Sequence, residues 1–245
     1  MFVGEIEAPV GLAEGLAKLA PGPELAAALA GVDRDRLSGY DRVVALKATA
    51  RMVAHCQARL YADIHGISAS VTERWGGDPD DAQDVFYGTS VEVQTALNLT
   101  RRSSEVQVDL ACQFCDRLPR VWKALHEGRI DLSRARIITD QTSHLPLDLA
   151  RGIAKVVLER APEQTTGQLR ARLQRLIISI DPGSARTRYE HGLTGRMVVS
   201  EPNVDGTANL LGLSLPVDQV NAACAGSTVW PRLPRARTIP AASTR

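Results

Sequence analysis

Apolar residues recur at helical spacing along most of this chain, and the interruptions mark where each helix starts and stops. Residues 1–36 hold short Ala/Leu runs parted by Pro9, Pro21 and Pro23, which predicts one or two short helices. Ser38 and Asp41 open a stronger segment with a pattern resembling a capping box. Val43, Leu46, Ala50, Val53, Ala54, Leu60, Tyr61 and Ile64 then form a stripe that ends near Gly66. That is a helix of about 26 residues, roughly 39 Å long. Residues 67–88 contain WGGDPDDAQD and read as a loop.

Thr89–Val108, TSVEVQTALNLTRRSSEVQV, reads as a helix, a tight break and a second helix. Thr89 and Glu92 fit a capping box, with Val93, Ala96 and Leu97 following at helical spacing. Asn98 suits the left-handed stop of the first helix, and Thr100 suits the cap of the second. Two cations, Arg101 and Arg102, begin that second helix, which runs to about Leu118 before Pro119. The outline is that of a helix-turn-helix, and also that of an ordinary helix pair in a bundle, the commoner source of such a turn.

RVWKALHEG predicts a short helix stopped at Gly128, and Asp131 or Ser133 caps the next one. After His144-Leu145-Pro146 a further helix turns Leu149, Ile153, Val156, Val157 and Leu158 inward. Thr165 or Thr166 caps another, striped by Leu169, Leu173, Leu176, Ile177 and Ile180 and ended at Asp181-Pro182. A short basic helix over 184–191 follows. The period then changes. Met197–Val199 and Thr207–Leu215 predict a β-hairpin near 196–215, turned at Asp205-Gly206. LPVDQVNAACA starts a helix that stops almost at once, and the Pro/Arg-rich residues 224–245 read as a disordered tail. The fold class expected is mainly α: a multi-helix bundle over 37–223 carrying a small C-terminal β-hairpin.

Composition narrows the partners. The formal charge is +1, so the chain is no polycation built to coat nucleic acid. Residues 1–100 nevertheless carry 8 Lys+Arg against 14 Asp+Glu, and residues 101–200 carry 17 against 11. That basic middle can form a phosphate-binding face or be plain solvated helix surface. Arg170, Arg172, Arg175, Arg186, Arg188 and Arg196 add a second concentration, open to the same two readings. The N-terminus MFVGEIEAPV is acidic where a signal peptide is basic, and no apolar run reaches the ~18 residues of a membrane span. The expectation is a cytoplasmic protein with no membrane partner.

Little catalytic chemistry is evident. Cys112 and Cys115 form a CxxC inside a predicted helix, without the second ligand pair a zinc site needs, and read as small apolar residues. His55, His65, His126, His144 and His191 are scattered, and none sits on the strand-strand-helix pattern of a metal-dependent HNH nuclease. No catalytic residue, metal ligand or cofactor is assigned, and no enzyme activity is expected.

Taken in order, SGYDRVVAL…CQARLYA, ALNLTRRSSEVQVDLA, RLPRVWKALHEGRIDLSRARII, LERAPEQTTGQLRARLQRLIISIDP, RMVV and PNVDGTANLLGLSLP resemble the 13E12 repeat family of actinobacteria. The region shared by that family is domain of unknown function 222, and the resemblance covers roughly residues 37–223. It implies a helical domain of unestablished role, followed in many members by an HNH endonuclease module. Members tend to have a small residue where this chain has Gln94. Beyond about Ala225 the family pattern is lost, which implies a chain truncated before the nuclease, with a tail that resembles read-through in another frame. ALHEGRIDLSRARII is also similar to the helix-turn-helix of chromosome-partitioning ParB proteins, with Gly128 as the stop and Ile130 plugging the corner.

Two functions follow. One is a non-enzymatic, DNA-associated domain in which Arg101, Arg102, Ser103 and Gln107 contact DNA, with Arg134 and Arg136 as a second set. The other is a module for self-association or for binding another protein, or an inactive remnant of a mobile-element-linked protein.

Overall fold

A computed structural model describes residues 11–74, 82–180, 190 and 192–227. The chain divides into two compact units, residues 1–177 and 178–245.

The first unit is built on one helix. Helices α1 (Gly11–Lys18) and α2 (Pro23–Ala30) pack against the N-terminal half of α3 (Gly39–Arg74). Ser38 caps α3 as its sequence predicts, accepting from the Asp41 backbone N–H at 3.2 Å and donating to the Asp41 carboxylate at 2.7 Å. The helix does not stop at Gly66. It runs on to Arg74, 36 residues in all, because Ile64, Ile67 and Val71 prolong the apolar face, and their packing outweighs the ~1 kcal/mol that a mid-helix glycine costs. At 1.5 Å per residue that is roughly 54 Å.

The buried face of α3 also differs from the predicted stripe. Ala45, Ala48, Ala54, Ala58, Tyr61 and Ile64 face inward, whereas Val43, Leu46, Val53 and Leu60 are 49%, 67%, 50% and 41% exposed. The alanines let neighbouring helices approach closely, so the small face rather than the bulky one is covered. Leu16 and Leu25 fill the space against Ala45 and Ala48, and Arg51 of α3 donates to the Leu16, Ala17 and Leu19 carbonyls at the end of α1.

Helix α4 spans Ala82–Leu97, and part of the stretch read as a loop therefore belongs to it. The cap expected at Thr89 is absent: Thr89 lies mid-helix, is fully buried, and donates to the Val85 carbonyl at 2.7 Å. Glu92, its expected partner, instead pairs with Arg74 at 3.0 Å and ties α4 to the end of α3. The acidic residues that suggest a loop also suit a helix start, where Asp84 meets the positive end of the helix dipole. WGGDPDD, residues 75–81, lies outside the described residues.

Helix α5 (Arg101–Cys112) ends in a wider π-turn over Gln113–Arg117. Helices α6 (Pro119–His126), α7 (Leu132–Thr142), α8 (Leu147–Leu158) and α9 (Thr166–Ile180) follow. Their inward residues, including Val108, Phe114, Leu118, Leu125, Ile138, Ile153, Leu169 and Leu173, form one core with Tyr61 and Ile64 of α3. Phe114 meets Tyr61 edge-on at 5.1 Å, and burying side chains of this size contributes about 1.5–3 kcal/mol each. Of the residues expected inward, Val156 and Ile180 are exposed.

Caps resolve as the sequence allows. Asp131 accepts from the Arg134 N–H at 2.8 Å, and Thr165 and Gln168 close a reciprocal capping box at 3.3 and 2.9 Å.

The second unit holds the predicted hairpin. Strands β1 (Met197–Pro202) and β2 (Ala208–Leu213) pair antiparallel, from Met197 opposite Leu213 to Pro202 opposite Ala208. Asp205 accepts from the Thr207 hydroxyl at 2.7 Å and its backbone N–H at 3.0 Å, which holds the Asp205 carboxyl below its ordinary range, and Gly206 takes φ +83°. Helix α10 (Val217–Ser227) follows. Most of the predicted basic helix over 184–191, and the tail beyond 227, lie outside the described residues.

Candidate nucleic-acid interface

The corner between α4 and α5 forms from three residues, each in the role its chemistry suggests. Asn98 adopts φ +51°, where its short polar side chain tolerates the left-handed region. The Leu99 N–H then reaches back to the Gln94 carbonyl at 3.0 Å and satisfies one of the open carbonyls of α4. Thr100 takes extended backbone angles, and its hydroxyl accepts from the Ser103 N–H at 3.2 Å. Leu99 packs partly into the core and anchors the turn.

Arg101, Arg102 and Ser103 therefore stand exposed on the first turn of α5, where unpaired backbone N–H groups and the helix dipole favour an anion. Arg101 is held in place. Its Nε donates to Glu105 at 2.8 Å and its guanidinium lies 5.6 Å from the centre of the Tyr87 ring. The Glu105 hydrogen bond, then its charge, then Tyr87 push the Arg101 pKa upward. Arg102 has no side-chain partner among the described residues. Gln107 is half-buried, with its Oε1 enclosed and without a hydrogen bond, so it does not share the exposed face of the first turn. Tyr87 is not legible as a site residue in the sequence, because the stretch before Thr89 reads as a loop.

The second predicted pair sits elsewhere and is bound up within the chain. Arg134 donates from Nε and Nη2 to the Gln164 carbonyl at 3.0 and 2.7 Å, and from Nη1 to Asp131. Arg136 donates to the Tyr61 hydroxyl at 3.2 Å, with its Nε buried and unbonded. The corner between α6 and α7 does form as its sequence suggests: Gly128 takes φ +66°, and Ile130 is 3% exposed.

Other arginines of the basic middle act likewise, clamping helix ends through backbone carbonyls. Arg117 donates to the Thr142 and Leu145 carbonyls, and Arg151 to those of Asp116 and Arg117 at 2.8 and 3.0 Å. Arg129 reaches the Leu158 carbonyl and Arg172 the Val156 carbonyl, each at 3.3 Å. Carbonyls left open at helix C-termini are natural partners for guanidinium groups. Much of the positive charge that suggests a nucleic-acid face is thus engaged in cohesion.

The remaining polar clusters are compact. His55 Nδ1 donates to the His126 carbonyl at 2.8 Å, and the His126 ring stacks on Trp122 at 4.9 Å. Burial, then the charges of His55 and Arg59, lower the His126 pKa. Cys112 and Cys115 are half-buried and not in a disulfide; burial, then Asp116 and Cys112, push the Cys115 thiol up to about 11. Among the described residues, no three His, Cys, Asp or Glu side chains converge as a metal site would require, and no helix is long and apolar enough to cross a membrane.

Fold and surface together define a mainly α, multi-helix domain with an exposed cationic helix corner and a C-terminal hairpin. Residues 48–223 match the family described as Domain of unknown function (DUF222), and the chain belongs to that family. No curated protein and no solved structure matches the chain.

Proposed function

We propose that this chain is a non-enzymatic helical domain that associates with DNA through the first turn of α5. The reading is carried by one observation: Arg101 and Arg102 project from a capped helix start, and Arg102 is unpartnered among the described residues. A phosphate placed there meets two guanidinium groups, open backbone N–H groups and the positive end of the helix dipole together. Ser103 adds a hydroxyl on the same turn. Arg134 and Arg136 contribute by holding α7 in place rather than by touching DNA. The test is anisotropy with a labelled duplex and the full chain. Arg101→Ala with Arg102→Ala weakens binding to every sequence alike, and unchanged affinity contradicts the reading.

A second reading, self-association, has its own support. Val43, Leu46, Ala50 and Val53 follow the alternating three- and four-residue spacing of a coiled-coil seam, Leu60 lies one heptad beyond Val53 with the polar Gln57 between, and all five apolar residues are exposed. Such a seam suits a helix of the same spacing, which a second α3 supplies. Light scattering tests it: dimers that dissociate in Leu46→Glu favour the reading, and a monomeric wild type at every concentration removes it.

A further inference from the structure

Two adjoining cavities open between α6 and α8, of about 450 and 630 Å³, and Arg120 and Lys155 line both. Arg120 and Lys123 lie three residues apart on α6, while Arg151 and Lys155 lie four apart on α8. Each pair therefore shares one helix face. Arg129 completes the basic wall, and all five cations are solvent-exposed.

Their bonding separates them into three kinds. Arg151 is fixed by the Asp116 and Arg117 carbonyls. Lys123 stands 3.7 Å from Glu127, an exposed pairing of the sort that contributes little and yields readily to another anion. Arg129 pairs with Glu127 at the same distance and also donates to the Leu158 carbonyl at 3.3 Å. Arg120 and Lys155 have no partner among the described residues, although helix-end carbonyls take up so many neighbouring arginines. The groove thus keeps two uncommitted cations at its centre, two guanidinium groups bonded to helix-end carbonyls beside them, and one lysine that is weakly held.

Glu127 and Glu159 lie in the wall of the larger cavity only, and no acidic side chain lines the smaller one. The groove is therefore graded, more positive at the end bounded by Pro119 and Gly152. No aromatic ring lines either cavity, so nothing there would stack a base or enclose a mononucleotide. Long exposed cations spread along an open trough suit a chain of repeated phosphates.

We propose that the groove between α6 and α8 binds the phosphodiester backbone of a nucleic acid, with Arg120 and Lys155 at its centre. The choice of nucleic acid over another polyanion rests on the DNA reading above, but the residues are different and can be tested apart. Neither Arg120 nor Lys155 supports the fold through a bond among the described residues, so Arg120→Ala with Lys155→Ala leaves the helical circular dichroism and thermal midpoint of the full chain unchanged.

Affinity for a labelled duplex of roughly two helical turns is measured between about 50 and 200 mM salt. Each phosphate no longer neutralised reduces the slope of log K against log salt by about 0.9, so this double variant reduces it by about 1.8. Glu127→Gln with Glu159→Gln moves the other way and tightens binding. If the groove variants match wild type while Arg101→Ala with Arg102→Ala does not, the groove inference fails and the α5 reading stands. If only the groove variants respond, the inference stands and the α5 reading fails. A wild-type chain that binds no duplex at any salt overturns both.

Discussion

Gly128 shows how one residue can carry two constraints. Its φ of +66° lies where a side chain is disfavoured, and a Cβ there would sit 2.8 Å from the Arg51 Cβ and 3.0 Å from the Arg51 backbone. The conformation ends α6; the missing side chain lets that corner press against α3. Gly128→Ala therefore costs the left-handed penalty of about 1–2 kcal/mol plus a clash that backbone atoms cannot relieve. Urea denaturation should show a decrease above about 2 kcal/mol; a decrease under about 1 would mean that the corner moves freely. At this scale the sequence is informative. Asn98, Thr100, Ser38, Asp131 and Gly128 each stand where their local chemistry suggests. Caps and left-handed stops depend on neighbours within a few residues, so a short window of sequence holds what determines them.

Faces and lengths of elements are less legible, because they depend on what packs from elsewhere in the chain. Val43, Leu46, Val53 and Leu60 have the right spacing for a core stripe, yet the alanine face of α3 is the buried one. Thr89 has the chemistry of a cap, but α4 already begins at Ala82, and the Thr89 hydroxyl turns back to the Val85 carbonyl. Packing between elements also creates a pH response. His126 packs between Trp122 and His55, with Arg59 and Glu127 acting on its charge. Its pKa in the folded chain lies below the unfolded value near 6.5, so the unfolded state takes up the proton first. The contribution of neutral His126 is complete above about pH 6.5 and is lost as pH falls through the unfolded pKa toward the folded one. Urea midpoints should fall between about pH 7 and 5, and His126→Asn should flatten that fall. An identical pH dependence in wild type and variant would assign the response to other groups.

For the whole molecule, the +1 total conceals a basic middle whose cations divide into clamps and free heads. Arg117, Arg129, Arg134, Arg151 and Arg172 hold helix ends, and sequence cannot distinguish them from Arg102, Arg120 and Lys155, which face solvent without a partner among the described residues. That distinction depends on which carbonyls lie within reach, a property of the assembled bundle. It also explains why the family and the mainly α fold can be read from ordered motifs while the site can be read only in part. The α5 corner is visible as Asn98-Leu99-Thr100-Arg101-Arg102; Tyr87 beside it and the groove between α6 and α8 are not.

On the proposed function, the first turn of α5 meets phosphate. The most direct measurement is the salt dependence of duplex binding by the full chain, compared between wild type and Arg102→Ala. The expected slope of log K against log salt is shallower by about 0.9 in the variant, as for one fewer phosphate neutralised. A variant that binds with the same slope and affinity as wild type would contradict it.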